Sequence, residues 1–479
     1  MRPSTRLRHA ASLAAFCLVA AGCFRDDYPS GCELGTVPCL RNGGDSSAAE
    51  SGDDTSDSGS IIDEGLDAFD SPQAETMVDG AGETDDATVC AAEERRCSST
   101  GKAVEICNTA RTGFIVEATC EIGCTAAASC LQVRHVSAGV AVSCAVLSDG
   151  GLRCWGYDSG NLGMGPVGAY PKPIPIAGVS GAVDVANNGD FICARIEDGT
   201  ARCWGNNDSG QLGDGTTTAR ASPKPVSGLS SIVQISVGLF HGCAQLDDGS
   251  LRCWGDNDRG QVGDGSSSRR LLPTPVPLAN VKEIALGSYH SCARLADTTV
   301  WCWGLNMYGQ LGDGTTTNRS KPTKVAGLSG VAQISASSHS TCARLIDGTV
   351  RCWGGNSKGQ LGDGTTTDSS TPVVVSGVTA ASSVVLGGTF ACAGVPSGQV
   401  CWGSNSEGQL GDGTTAQHLT PAAAATSLSG SGILQIAPGG YHVLARASER
   451  LFAWGGNTVG QLGTGMITPR ELAPAKVAW

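Results

Sequence analysis

Twelve cysteines in this chain are spaced so that thiols can react with each other. Cys144 and Cys154, Cys193 and Cys203, Cys243 and Cys253, Cys292 and Cys302, and Cys342 and Cys352 stand ten residues apart, and Cys392 and Cys401 stand nine apart. Two thiols at that separation lie opposite one another when a tight turn falls midway between them. In the copy from Cys342 to Cys352, Ile346-Asp347-Gly348 supplies a three-residue hairpin loop, with Gly348 free to adopt its left-handed position. Leu345 then faces Thr349 and Cys342 faces Cys352, with opposed Cβ atoms about 4.5–5.5 Å apart, which a disulfide can close after a small adjustment. Leu444 and Ala453 replace both thiols together in the last copy. A disulfide that loses one half leaves the other unpaired, whereas buried free thiols need not vanish as a pair. Oxidised pairs are therefore expected in six hairpins.

Other residue types are weaker candidates for chemistry. Six further cysteines between Cys90 and Cys130 predict a disulfide-rich module with fifteen possible connectivities. Zinc is the rival there, through Cys120-x3-Cys124, but that segment contains no histidine. Glycine-rich loops ending in Asp214, Asp264, Asp313, Asp363 and Asp412 invite calcium or phosphate, yet Met164 and Thr464 stand at the same position in the outer copies. A turn-stabilising Asp is the preferred reading. His241, His290 and His442 share one position that elsewhere holds Val142, Phe191 or Phe390, which points to packing. No metal and no cofactor is expected, and no blade-specific pair of carboxylates or nucleophile with its base marks a catalytic centre.

The elements that must position these residues follow from an internal repeat. The stretch from Cys342 to Gly364, CARLIDGTVRCWGGNSKGQLGDG, recurs down the C-terminal part of the chain. Its Trp-Gly pair returns at Trp155, Trp204, Trp254, Trp303, Trp353, Trp402 and Trp454, with spacings of 49 to 52 residues. In the unit beginning near Val331, VAQIS, STCARL and TVRCWG read as strands, and TPVVVSG as a fourth after the glycine-rich loop. Units of this size cannot bury their own apolar face, and stacking them builds a common core. The tryptophans, present in every unit, are expected between neighbouring units. The fold class predicted is all-β, a seven-bladed β-propeller over residues 131–479. Pairing Val133–Ser137 with Pro474–Ala478 is expected to close the ring.

Before the repeats, the chain predicts three further segments. Arg2, Arg6 and Arg8 precede an apolar run from Ala10 to Ala21, which reads as a signal over residues 1–22. Val19-Ala20-Ala21-Gly22-Cys23 resembles a bacterial lipobox, making Cys23 the expected lipidation site and the bacterial outer membrane the expected location. Residues 23–89 read as a disordered acidic linker, since 14 acidic residues and no Lys or Arg lie between Asp45 and Thr88. Calcium binding there is disfavoured because the ligand spacing is irregular. The remainder carries 31 acidic against 32 basic residues, so no basic footprint for nucleic acid exists. Residues 90–130 form the cysteine-rich module.

The pattern H-x-C-A-x-L-x-D-G-x-V-x-C-W-G-x-N-x-x-G-Q-L-G-D-G-T resembles the regulator of chromosome condensation repeat, in a cysteine-bearing form similar to that of exported bacterial proteins. The resemblance covers roughly residues 131–479 and implies a propeller used as a protein-docking disc. Some eukaryotic members promote nucleotide exchange on a small GTPase. That activity ranks last here, because an exported protein would not meet such a partner and the even spacing leaves little room for a wedge loop. The leading expectation is a noncatalytic binding propeller on a lipid-anchored stalk, with an unknown protein or glycan ligand. A propeller enzyme acting on glycans or peptides is the alternative. Residues that break the repeat are the binding candidates: Tyr157, Tyr170, Arg269, Arg270, Trp301, Met307 and Tyr308.

Overall fold

In a computed structural model of the chain, the described residues are 90–479 apart from 92, 112–113, 126, 425–431 and 449. The signal, Cys23 and the acidic linker lie outside them. The regular elements among the described residues are all strands. Val89–Trp479 forms one compact unit.

The cysteine-rich segment holds a three-stranded antiparallel sheet of Arg95–Cys97, Ala103–Cys107 and Phe114–Thr119. Three disulfides staple it: Cys90–Cys107, Cys97–Cys124 and Cys120–Cys130. With a core of only a few buried side chains around Val104 and Cys120, a piece this small depends on such staples.

Beyond it, the described residues form seven four-stranded antiparallel sheets, one per repeat, stacked as in a β-propeller. The fifth is built from Val331–Ser337, Ser340–Leu345, Val350–Gly354 and Ser369–Val374. The backbone of Leu345 pairs with that of Thr349 across the Ile346–Gly348 loop, Gly348 has φ 80°, and Cys342 stands opposite Cys352. All six repeat pairs are bonded, with Cα atoms 4.1–4.2 Å apart. The fourth strand starts at Ser369, earlier than the expected TPVVVSG run, because Gly354 pairs with Ser369 across a bulge. The first strands of successive sheets lie side by side, and the first strand of the seventh sheet, Gln435–Pro438, lies against that of the first, Val133–Ala138. Val133–Ala138 pairs with Val142–Leu147, and the last strand, Arg470–Lys476, with Leu451–Gly456. The seam is therefore made by packing of inner strands, and Val133–Ser137 does not hydrogen-bond to Pro474–Ala478 as expected from the sequence.

Each sheet meets the next through one repeated arrangement. The Cys342–Cys352 disulfide packs under Trp402 of the following sheet, and Cys292–Cys302 packs under Trp353 in the same way. All seven of these indoles are fully buried. The Nε1–H of Trp353 donates to the carbonyl of Gln310, in the preceding sheet's loop, at 2.9 Å. Trp254, Trp303, Trp402, Trp454 and Trp155 donate likewise to Gln211, Gln261, Gln360, Gln409 and Gln461 at 2.8–3.0 Å. This accounts for the G-Q-L-G run: a Cβ on Gly312 would sit 2.8 Å from the Trp353 nitrogen, so only glycine lets the loop approach the ring. At the seam, Leu444 and Ala453 occupy the place of the disulfide beneath Trp155.

Three of the seven junctions carry a second latch. His241 Nε2 lies 2.9 Å from Ser291 Oγ, His290 Nε2 2.9 Å from Thr341 Oγ1, and His442 Nε2 2.7 Å from Ser143 Oγ. Each hydroxyl donates to the same glutamine carbonyl that takes the tryptophan: Gln261, Gln310 and Gln461 respectively. The hydroxyl oxygen must then accept from Nε2–H, which fixes the tautomer and leaves Nδ1 buried without a partner. Where the first position is Val142, Phe191, Ser340 or Phe390, the next sheet offers Ile192, Gly242, Ala391 or Val443, none with a hydroxyl. Histidine and hydroxyl therefore occur together or not at all.

Two predictions follow from these interfaces. The pair Cys342→Leu with Cys352→Ala copies the natural pair of the seventh sheet; the variant folds, and its denaturant midpoint falls by the equivalent of about 2–3 kcal/mol. Burial pushes the pKa of His241, His290 and His442 down from 6.5 to about 3. The unfolded chain therefore takes up protons first, and stability declines as pH drops below about 6.5, levelling off near 3, by on the order of 1 kcal/mol per pH unit per residue. His241→Phe, which copies Phe191 and Phe390, makes the measured stability curve between pH 6 and 4 shallower.

Candidate functional site

The loop after each third strand lies beside the turn that joins the first and second strands, because the two backbones are hydrogen-bonded there. Leu305 N donates to Tyr289 O, Gly355 N to His339 O, and Asp256 N to Phe240 O, all at 2.9 Å. These segments make one face of the sheet stack. Their hydrogen-bonded frame repeats, and the side chains mounted on it do not.

The frame is an asparagine hub. Asn306 Oδ1 accepts from Leu311 N, while its Nδ2 donates to Asp313 Oδ1 and to the carbonyls of Thr315 and Thr317 at 3.0–3.2 Å. Asp313 Oδ1 also accepts from Thr315 N and Oγ1, and its Oδ2 from Arg319 Nε at 2.8 Å. Burial raises the pKa of Asp313, and the donors around it, Thr315 first, outweigh that and hold it below the usual range. The loop aspartates are thus turn residues, and no group of metal-ligating side chains occurs among the described residues.

On this frame, at the position just before the latch residue, the sheets present Ala141, Asp190, Phe240, Tyr289, His339, Thr389 and Tyr441. Phe240 and Tyr289, on adjacent sheets, have ring centroids 5.9 Å apart. Tyr308, from the loop of the fourth sheet, reaches the imidazole of His339 on the fifth at 4.7 Å. Met307, 45% exposed, stands next to Tyr308. The result is an arc of apolar and aromatic side chains across three consecutive sheets. Beside it the character changes: Asp190 takes the place of Phe240 on the second sheet, and burial, then the neighbouring Asp208, raises its pKa to about 6.

The structure pairs Tyr308 with His339 and Phe240 with Tyr289, and Phe240, Tyr289 and His339 are three residues that sequence reasoning missed. The signal was available as aromatic side chains at one repeat position, next to histidines already singled out. Tyr157 lies on the same face, its N–H bonded to Ala141 O. Arg270 is engaged by the loop aspartate Asp264, and Arg269 Nη1 donates to Asp208 O of the preceding sheet at 2.8 Å. Tyr170 donates to Pro166 O and packs on the first sheet's core. Trp301, on the third strand of the fourth sheet, donates to Thr299 Oγ1 and lies away from the arc. Cys23 lies outside the described residues.

Comparison with known families matches the RCC1-like domain over residues 122–393 and the regulator of chromosome condensation (RCC1) repeat over 398–446. The chain belongs to the RCC1-like domain family. No curated protein matches it. Among solved structures it is similar to human WBSCR16, with 25% identity over 65% of this chain and 86% of that one and a TM-score of 0.59. It is also similar to Prp20p of Saccharomyces cerevisiae, with 21% identity over 66% of this chain and 82% of that one and a TM-score of 0.58, a structure described with its binding to Gsp1p and histones. A third similar structure is the yeast RCC1 (Prp20) bound to Kap60, with 22% identity over 66% and 80% and a TM-score of 0.58.

These matches correct the expectation of a bacterial lipoprotein. The repeats align with human and yeast propellers, and the partners named for the yeast protein are proteins, so lipid attachment at Cys23, outer-membrane display, a membrane partner and a glycan ligand are withdrawn. The lipobox reading rested on five residues, with Ala20 in place of the commonest Leu, and patterns so short recur by chance. The signal and extracytoplasmic readings fall with it. The chain is not an enzyme but a member of the RCC1-like domain family.

Proposed function

We propose that this chain is a docking propeller in which seven blades, over residues 131–479, close into a ring that engages a protein partner. The cysteine-rich module of residues 90–130 precedes it as a small disulfide-stapled segment of the same compact unit. Ring closure is supported by Gln435, whose Oε1 accepts from Val136 N at 3.1 Å and whose Nε2 donates to Val136 O at 3.0 Å, and by the Trp155–Gln461 bond at the same junction. The observation that carries the docking reading is the aromatic arc of Phe240, Tyr289, Tyr308 and His339. Positions that repeat serve the fold, and this run of rings is where the repeat is broken on a solvent-facing edge.

Family membership reorders the readings of the sequence. Protein docking linked to nucleotide exchange on a small GTPase, ranked last on expected export and on the even repeat spacing, is now favoured over any glycan or peptide chemistry. Its support is the match to the RCC1-like domain and to a yeast propeller described with Gsp1p, histones and Kap60.

The test uses the purified full chain. Binding to Gsp1p, histones and Kap60 is measured by calorimetry, and release of labelled GDP from a small GTPase is followed with and without the chain. Saturable binding to at least one of these proteins is expected, weakened about tenfold or more in Tyr289→Ala with Tyr308→Ala. Accelerated GDP release is the outcome expected of exchange. Absence of binding to all three, or binding that the double variant leaves unchanged, overturns the proposal.

A further inference from the structure

Nine disulfides stand among the described residues, and they differ in how far water reaches them. The six repeat cystines are sealed: both halves are at most 1% exposed, each pair beneath the tryptophan of the following sheet. In the cysteine-rich segment, Cys90 and Cys107 are both buried, and Cys120 is buried while its partner Cys130 is half-buried. Cys97–Cys124 is the one pair of these nine in which both halves are partly exposed.

Exposure of both halves matters for one reaction. In thiol–disulfide exchange a thiolate attacks one sulfur and the other leaves as a thiolate. A sealed cystine offers no approach. Attack at Cys130 would expel the Cys120 sulfur into the segment's small core of Val104, Cys120 and Ala128, and apolar surroundings disfavour a thiolate. At Cys97–Cys124, whichever sulfur leaves does so beside water. The bridge also closes the longest of the segment's three loops, with a sequence separation of 27 against 17 and 10. At one end it holds the strand Arg95–Cys97, which otherwise has three register pairs with Ala103–Cys107 and two ion pairs, Arg95–Glu117 and Arg96–Glu105. At the other end, Cys124 lies three residues after Glu121. The carboxylate of Glu121 pairs with Lys476 on the last strand of the seventh sheet, beside Val477, Ala478 and Trp479. That pair is exposed and contributes little by itself. Its formation therefore depends on the turn around Glu121 being held by the flanking cystines and by Lys102 Nζ, which donates to the carbonyls of Glu121 and Ile122 at 2.8 and 3.2 Å.

We propose that Cys97–Cys124 is a thiol-exchange site, the place at which a small dithiol acts on this chain, and that opening it releases the Glu121 turn from the last strand of the seventh sheet. A thiolate of the dithiol attacks Cys124, the Cys97–Cys124 bond breaks, and Cys97 leaves as a thiolate that takes up a proton. The second thiol of the reagent, deprotonated, then attacks the mixed disulfide, closes the reagent's own disulfide and releases Cys124, which takes up a proton in turn. The cystine gains two electrons and two protons, and the dithiol loses them. The six repeat cystines stay closed throughout. The site is independent of the aromatic arc.

The full chain is treated with limiting dithiothreitol under native conditions, quenched with N-ethylmaleimide and mapped by peptide mass spectrometry. Cys97 and Cys124 are expected to be labelled at least about tenfold faster than any repeat cysteine, and ahead of Cys90, Cys107, Cys120 and Cys130. In parallel, a water-soluble carbodiimide is used to couple Glu121 to Lys476 in the oxidised chain. The yield of that cross-link is expected to fall severalfold after partial reduction, to return on reoxidation, and to be low in Cys97→Ser with Cys124→Ser. Fluorescence of the tryptophans, which all lie between Trp155 and Trp479, stays unchanged. Opening of all cystines together, or labelling of Cys97 and Cys124 no faster than the repeat cysteines, overturns the exchange site. A cross-link that is missing from the oxidised parent, that reduction of the parent leaves unchanged, or that is lost only together with the tryptophan signal overturns the release of the turn.

Discussion

A single contact, repeated at every junction, governs this molecule: an indole from one sheet buried against the hairpin of the sheet before it, its N–H given to a loop carbonyl. A buried indole nitrogen without an acceptor is costly, so the ring is satisfied only when the neighbouring loop is in register. The loop can come that close only because Gly312 and its equivalents carry no side chain. Packing and hydrogen bonding therefore select the same geometry, and each sheet is incomplete without its neighbours, as in other repeat arrays. The disulfides belong to this contact. They lie on the surface that the next tryptophan covers, cross-linking the hairpin that forms each indole's floor.

The junction between the last sheet and the first departs from the rest in a way that makes physical sense. It lacks the cystine and has Leu444 and Ala453 under Trp155, with the C-terminal Trp479 packed edge-on at 6.2 Å. It retains the histidine latch, His442 to Ser143 to Gln461, and adds the paired bonds of Gln435 to Val136. The junction that must join the two ends of the chain is thus held by apolar packing and a polar network.

Much of this fold was legible because the repeat shows seven solutions to one problem. The turn at Ile346–Gly348, the opposition of Cys342 and Cys352, and the buried role of Trp353 all follow from spacing and residue type. The roles of Gln310 and Asn306 were not legible, since a carbonyl acceptor leaves no trace in side-chain chemistry and an asparagine hub looks like any loop asparagine. The pairing of histidine with a hydroxyl on the next sheet was present in the sequence but needed knowledge of which positions face each other. The candidate site was read only in part. Met307 and Tyr308 stood out as departures from the repeat, whereas Phe240, Tyr289 and His339 lie at a position whose neighbours were read as core. Arg270 also broke no rule, being the third of three equivalent clamps with Arg220 and Arg319. The N-terminal motif misled because five residues carry little information, while the repeats extend over most of the chain.

The central claim, that the seventh sheet seats directly on the first, is tested most directly by cross-linking that junction. A Cβ at residue 440 would lie 3.1 Å from the Cα of Val140, and Gly440 N already bonds to Gly139 O. In Val140→Cys with Gly440→Cys, mild oxidation followed by peptide mapping should yield one new intramolecular disulfide between these positions in the monomer. Recovery of both thiols unreacted, or their appearance only in bonds between molecules, would contradict the account.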